Sequence, residues 1–246
     1  MQRMLVALTF LLPCSVLALD LATCGQTVPA GEVGVLQGDL TACVDGVVLA
    51  DRAVLEMAGH AISASHLGVQ CIGSRCAVHG PGDISGAVVG IWGFYPTGKI
   101  EVTDVDIHDT PLAGIQNARR GTLTNVTVRR AGFGAPDPEY SAGIYVDRLK
   151  GTNVTTADNA GYGVLGGSVV KLTGLTSTGN GNAGIAAQNR SLVRDSTITG
   201  NDGYGTGVDF VAYRRPRVID TVCGLSASPG PTAEQPGPPW GVCSGD

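Results

Sequence analysis

The stretch Thr-Ser-Thr-Gly-Asn-Gly-Asn-Ala-Gly-Ile, residues 176–185, contains the unit from which this chain is built. It ends in Gly184-Ile185, one of eight places between residues 46 and 208 where Gly is followed by Ile or Val, at steps of 20 to 29 residues. A repeat of that length indicates stacked supersecondary units. The glycines of the eight pairs are Gly46, Gly68, Gly90, Gly114, Gly143, Gly163, Gly184 and Gly207.

Two further columns emerge when the repeats are aligned on these pairs. The first contains turn residues, several of which tolerate a left-handed backbone. The second follows three residues later and is mostly apolar and β-branched, as expected for an inward position on a strand. The first column is Gly59, Pro81, Asp104, Asn125, Asn153, Gly174, Asp195 and Asp220, and the second is Ile62, Ile84, Ile107, Val128, Thr156, Ser177, Ile198 and Cys223.

The columns predict an all-β protein, a single-stranded right-handed parallel β-helix of about eight coils. Successive coils stack at about 4.8 Å, and the hand follows from the usual rule for parallel connections. Because side chains alternate along a strand, Ile115 and Asn117 are predicted inside and Gln116 outside. Three consecutive coils align Asn159, Asn180 and Asn201, which predicts a hydrogen-bonded amide ladder; the alternative is three chance Asn residues in polar loops.

The chain divides into four predicted segments. Residues 1–18 have a positive start, an apolar run and a small final residue, as in a cleaved signal peptide; the alternative is a lipoprotein anchored at Cys14. Residues 19–45 form an N-terminal cap, 46–224 the β-helix, and 225–246 a Pro-rich C-terminal cap or tail. The apolar run is shorter than the roughly 20 residues of a spanning helix. We therefore expect a secreted, periplasmic or cell-surface bacterial protein without a transmembrane segment after cleavage.

Six cysteines remain after signal cleavage, and an even number in an exported chain indicates disulfides. Six cysteines allow 15 pairings. Nearest-neighbour pairing is favoured because each pair closes a local loop at an end or turn of the stack. It pairs Cys24 with Cys43, Cys71 with Cys76, and Cys223 with Cys243.

The coils, together with the segments 24–43 and 54–63, resemble the bacterial right-handed parallel β-helix repeat proteins of the pectin-lyase-like superfamily. The resemblance covers most of the mature chain. It implies an exported protein, expected to be a monomer, that binds and modifies an extended acidic polysaccharide as a lyase, hydrolase or epimerase. The superfamily also includes non-catalytic surface proteins, so a structural or adhesion module is the alternative.

In proteins of this kind, polysaccharide lies along the first strand of each coil. The outward column of that strand is predicted to supply Gln70, Trp92, Gln116 and Tyr145 as ligand-binding residues, with aromatic rings stacking on sugars. The alternative is that the aromatic side chains cover a loop. The full column is Val48, Gln70, Trp92, Gln116, Tyr145, Leu165, Ala186 and Asp209.

Basic residues gather in the turns that flank this strand. Their guanidinium forks suit carboxylates, although paired Arg residues are also common as solvated charge. The net charge of −5 argues against a nucleic-acid partner. The loop of residues 129–142 overhangs the same strand and brings Tyr140. The basic candidates are Arg119, Arg120, Arg129, Arg130, Arg148 and Lys150.

Catalytic candidates surround the same strand. In a lyase, Arg129 or a cation neutralises the substrate carboxylate while Tyr145 or His108 removes the adjacent proton. In a hydrolase, a pair of acids is drawn from a set that includes Asp109 and Asp147. Asp137 and Glu139 are the residues that could hold calcium, the one cofactor considered. Asp104, Asp195 and Asp220 fall in the tight-turn column and are predicted to be structural.

Overall fold

The structure, a computed structural model, describes residues 18–135, 141–202, 205, 207–229 and 236–246. Within these residues every regular element is a strand, as the sequence predicts. The strands are β1 Leu19–Leu21, β2 Gln26–Val28, β3 Val33–Leu36, β4 Leu40–Leu49, β5 Ala53–Glu56, β6 Ala61–Cys71, β7 Arg75–Ser85, β8 Val89–Trp92, β9 Lys99–Thr110, β10 Ala113–Ala131, β11 Ala142–Ala157, β12 Tyr162–Thr173, β13 Thr176–Thr178, β14 Ile185–Ala187, β15 Arg190–Arg194, β16 Thr197–Thr199, β17 Val208–Ala212, β18 Arg217–Ile219, β19 Val222–Cys223, β20 Leu225–Pro229 and β21 Pro236–Pro239.

The strands wind into a parallel β-solenoid of about nine turns with three faces. The repeat alone accounts for about eight turns, and residues 19–45 supply strands that pair in parallel with the first of them. Long strands such as β10 continue around a corner and belong to two faces. The first face contains 47–49, 69–71, 89–92, 113–116, 142–146, 162–166, 185–187 and 208–212; the second contains 53–56, 75–79, 99–103, 120–124, 148–152, 169–173, 190–194 and 217–219; the third contains 61–64, 83–85, 105–110, 126–131, 154–157, 176–178, 197–199 and 222–223.

One continuous apolar core runs along the inside of the solenoid. All eight members of the predicted inward column, from Ile62 to Cys223, are fully buried. The repeated Gly is explained by the same column. A Cβ at Gly68 would overlap the side chain of Ile84, and one at Gly114 would overlap Val128. The Gly-Ile/Val pair therefore marks where the backbone of the first face passes closest to the third-face side chains.

The predicted turn column adopts the backbone that turn residues favour. Asp104, Asp195 and Asp220 have φ of 58, 49 and 47°, in the left-handed region that Asn, Asp and Gly tolerate best. Asn125 also donates to the carboxylate of Asp104 at 2.8 Å. These acids are thus turn residues, as predicted.

The predicted amide ladder is present and buried. The Nδ2 of Asn159 donates to Oδ1 of Asn180 at 2.8 Å, and that of Asn180 donates to Oδ1 of Asn201 at 2.7 Å. The ladder ends on Asp209, whose Oδ1 accepts from the side chain of Asn201 at 2.8 Å and whose Oδ2 accepts from the backbone of Gly224. Hydrogen bonding therefore continues through the inside of the last turns, where Thr156 and Ser177 replace the apolar residues of the core.

The three predicted disulfides are formed. Cys24 pairs with Cys43, Cys71 with Cys76, and Cys223 with Cys243. Beyond β19, β20 adds to the first face in parallel and β21 pairs with it in antiparallel orientation, while Cys243 ties the segment back. This arrangement covers the strand edge that an open solenoid end would expose.

Candidate functional site

A basic cleft lies on the second face and has a volume of about 820 Å³. Eight of the 16 Lys and Arg residues of the chain line it, and its lining contains no Asp or Glu. All eight are exposed. They are Arg120, Arg148, Lys150, Lys171, Arg190, Arg214, Arg215 and Arg217.

The solenoid geometry places these side chains together. Side chains of the second face alternate inward and outward, so Leu149 is buried while Arg148 and Lys150 on either side of it are exposed. Residues in register lie one strand spacing apart, about 4.8 Å. Arg120 is in register with Arg148, and Lys150 is in register with Lys171.

Within the described residues, no acidic side chain neutralises the positive charge of the cleft. Among the described residues, none of the eight cations forms an ion pair. Like charges directly opposite one another on neighbouring strands destabilise a sheet, by a few tenths of a kcal/mol or more per pair. The chain as a whole has a net charge of −5, so the cleft is a local positive region on a negative protein.

Of the basic residues predicted from the sequence, Arg120, Arg148 and Lys150 line the cleft. Arg119 is exposed and lies outside the lining. The other five cleft cations were not predicted. The repeat contains a signal for two of them, because Lys171 and Arg190 occupy the outward second-face positions of the next two turns.

Arg129 and Arg130 belong to the third face, away from the cleft. Arg129 donates to Oδ2 of Asp106 at 3.0 Å, and Arg130 makes a two-point contact with Asp109 at 2.6 and 2.8 Å. Asp109 also lies 2.6 Å from Nδ1 of His108. The structure thus combines the candidates His108, Asp109, Arg129 and Arg130 in a charge network in which each cation already has an anionic partner.

Arg130 holds the pKa of Asp109 well below its usual range, mainly through its hydrogen bonds to the carboxylate. The hydrogen bond from His108 acts in the same direction, while partial desolvation opposes both. An acid held ionised in this way is a poor proton donor. Asp109 is accordingly better suited to fixing His108 than to general acid catalysis.

The same network contains the one group of described residues with the composition of a metal site. Ligand atoms of Asp83, Asp106 and His108 lie within 4.8 Å of one another. His108 uses Nε2 to contact Asp83 at 2.7 Å, and Asp106 is paired with Arg129. Both ring nitrogens of His108 contact carboxylates, so His108 could bind an ion through Nε2 only after its contact with Asp83 had been broken, whereas Oδ1 of Asp106 is buried without a hydrogen-bond partner in the described structure.

On the first face, Gln70, Trp92 and Gln116 are in register and half-buried, in agreement with their predicted column. The Oε1 of Gln116 is shielded from solvent and has no hydrogen-bond partner in the described structure. The prediction for Asn117 was wrong: it is half-buried with φ of 67°, and Ala118 takes the inward position. The register of β10 shifts between Ile115 and Ala118, where the strand passes from the first face to the second, and this shift interrupts the alternation.

Asp209 was also wrongly placed in the outward column. Its side chain is buried, and Ala186 is in register with Val211 instead. Phe210, two residues after the position that the Gly207-Val208 pair indicates, lies opposite Ile185. The last turn is therefore shifted, and the shift brings Asp209 inward to the end of the amide ladder.

Tyr145 and Asp147 share a small pocket of about 190 Å³ at the corner between the first and second faces. Tyr95 and Gln188 line it as well. Asp147 accepts a hydrogen bond from Ser168 at 2.5 Å, and Tyr145 is 40% exposed. The pocket thus combines two predicted catalytic candidates next to the cleft residue Arg148. Tyr140, Asp137 and Glu139, and with them the predicted calcium site, lie outside the described residues.

A scan against protein-family models, a search of the curated proteins and a search of the solved structures each returned no match to this chain. No helix able to cross a membrane is present in the part of the chain that the structure describes. The disulfides indicate an extracellular or otherwise oxidising compartment. By its fold the molecule is a disulfide-bonded parallel β-solenoid, and its most distinctive surface is the basic cleft.

Proposed function

We propose that this protein binds an acidic polysaccharide in the basic cleft of the second face. The observation that carries the proposal is the presence of eight cations in one cleft without a described anionic partner. Their mutual repulsion costs folding free energy. A ligand with several negative charges removes that cost when it binds. Guanidinium groups, which form two parallel hydrogen bonds to a carboxylate, are well suited to uronate units.

Two features favour a polysaccharide over a nucleic acid. The lining of the cleft contains no aromatic residue, whereas single-stranded nucleic acids are bound largely by stacking of bases on aromatic side chains. The net charge of −5 would also repel a long duplex wherever it extended beyond the cleft. Export from a bacterial cell and membership of the pectin-lyase-like superfamily are part of the same proposal. They are supported by the disulfides and by the solenoid fold.

The proposal is tested by titrating the mature protein with polygalacturonate, alginate and neutral dextran in low salt, with calorimetry as the readout. We expect binding of the two polyanions and none of dextran. The double variant Arg148→Gln/Lys150→Gln should lower the affinity about tenfold or more, since a loss of roughly 1.4 kcal/mol is one decade. Added salt should weaken binding because the contacts are exposed ion pairs.

The matched control is Arg52→Gln/Arg194→Gln, which removes the same charge from two exposed positions outside the cleft lining. It should bind nearly as tightly as the unaltered protein. Equal losses for both double variants would show that net charge, and not the cleft, is responsible. Tighter binding of DNA than of either polyanion would identify a different ligand class.

A second candidate function, cleavage of the bound glycan, is favoured by the corner pocket that holds Tyr145 and Asp147. A phenol and a carboxylate beside a row of cations are the groups that proton abstraction next to a neutralised uronate requires. Release of unsaturated or reducing ends from the bound polyanions, abolished by Tyr145→Phe, would establish it. Binding without any product would define the non-catalytic surface module.

A further inference from the structure

The cations of the second face form a ladder that runs along the solenoid axis. One outward column contains Arg75, Lys99, Arg120, Arg148, Val169 and Arg190, each in register with the next. Five of these six positions are basic. In the turn of Val169, the neighbouring outward position is Lys171. Every turn from Arg75 to Arg190 therefore presents a cation on the same face.

Two cavities adjoin above this ladder. The second, of about 320 Å³, is lined by Arg75, Lys99, Ile100, Glu101, Arg120 and Thr122. It shares Arg120 and Thr122 with the basic cleft. The two cavities therefore meet at Arg120 and follow one another along the axis of the solenoid, and together they are called the groove.

One end of the ladder is closed by a carboxylate. Glu101, the acid that lines this second cavity, pairs with Arg75 at 3.6 Å. Among the described residues, the cations without an ion pair begin at Lys99 and continue through Arg120, Arg148, Lys171 and Arg190 to Arg217, which lies one turn further on. These are six successive turns, which span about 24 Å at a strand spacing of ~4.8 Å.

We infer that the groove binds a linear glycan stretched along the solenoid axis, with an anionic group on every sugar unit and one unit for each turn. The inference rests on the proposed function. A sugar unit in an extended chain is comparable in length to the strand spacing, so each added unit brings one more anion to one more cation. A glycan charged on every second unit leaves alternate cations unpaired. The footprint is six units.

The test is a length series of oligogalacturonates from two to eight units, measured by calorimetry on the mature protein. Affinity should rise about two- to fivefold for each unit, the size of an exposed ion pair, and level off at six units. Hyaluronan oligosaccharides, which are charged on every second unit, should bind more weakly at equal length.

The closed end of the ladder supplies a sharper test. Glu101→Gln frees Arg75, so the plateau should move from six units to seven. The matched control is Glu56→Gln, which removes the same charge from an acid on the same face that pairs with His79. It should leave the plateau at six units.

The possible failures are distinct. No binding of any oligomer would overturn the proposed function itself. Binding that is already complete with two units, or that gains nothing from charge on every unit, would retain the proposed function and overturn the ladder. A plateau that stays at six units in Glu101→Gln would overturn the assignment of its closed end.

Discussion

Asp109 shows how a single residue of this fold depends on the turn above it. Its carboxylate accepts two hydrogen bonds from Arg130, 21 positions later in the sequence, and one contact from His108. The spacing of the repeat places Arg130 directly one turn away, so this pairing is accessible from the aligned sequence. The sequence alone does not show that the charges of Asp109 and Arg130 neutralise each other. Both residues therefore look like candidates for substrate contact.

A pH-dependent stability follows from the lowered pKa of Asp109. A carboxyl whose pKa is depressed in the folded state stabilises the protein above its unfolded pKa, about 3.9, and that stabilisation is lost as the pH falls through the folded value. Asp109→Asn should therefore lower the melting temperature at pH 5, by an amount corresponding to about 1 kcal/mol or less for an exposed pair. The deficit should shrink as the pH is lowered to 3.

Thermal melts of both proteins between pH 5 and pH 3 measure this difference. The exposed Glu32, which has no ion pair in the described structure, supplies the control Glu32→Gln. A deficit of Asp109→Asn that is constant down to pH 3 would contradict the assignment.

At the scale of the elements, the inside of the solenoid changes character along its length. The first turns are filled by Leu, Ile and Val, whereas the last turns contain the amide ladder and the hydroxyls of Thr156 and Ser177. Aligned columns predicted both halves, because strict stacking forces equivalent residues into contact. They failed at Asp209, where the strand is shifted by two residues and the carboxylate caps the ladder. A local hydrogen-bond demand of this kind is invisible to a repeat read from Gly-Ile/Val pairs.

The ladder should be costly to interrupt. Asn180→Ala removes the acceptor of two buried donors of Asn159, its backbone N–H and one N–H of its side chain. Each buried unsatisfied group costs about 1–3 kcal/mol, so we expect a loss of about 2–5 kcal/mol in the free energy of unfolding. Denaturant titration measures it. Asn189→Ala is the control, because Asn189 is half-buried and makes no side-chain hydrogen bond in the described structure; a similar loss there would contradict the account.

At the scale of the whole molecule, the stack needs both of its ends closed. The disulfide between Cys223 and Cys243 joins residues 20 positions apart and holds the last segment against the end of the core. Pairs of neighbouring cysteines were enough to predict all three disulfides. The position of the charged site was harder to predict, because it depends on the register of five turns of unequal length. The family resemblance predicted a ligand site on the first face, whereas the cations that have no ion pair among the described residues lie on the second face.

Cys223→Ala/Cys243→Ala should lower the free energy of unfolding by about 3 kcal/mol, as expected for a closed loop of this length. In stacked repeats each unit contacts only its neighbours, so the loss should be local. Hydrogen exchange should quicken at β17 and β20 and remain slow in the first turns. Cys71→Ala/Cys76→Ala, which opens a loop with a separation of 5, should cost less. Uniform acceleration along the chain would show that the solenoid unfolds as one unit.

The in-register stacking of the second face also makes its ladder extensible. Duplication of one repeat would insert an additional cation about 4.8 Å from its neighbours without altering any contact within the adjoining turns. The number of repeats would then determine the length of polymer that the ladder binds. The side chains would determine only the charge that the polymer must carry. Gain or loss of a repeat is thus a route by which related molecules could come to prefer longer or shorter ligands.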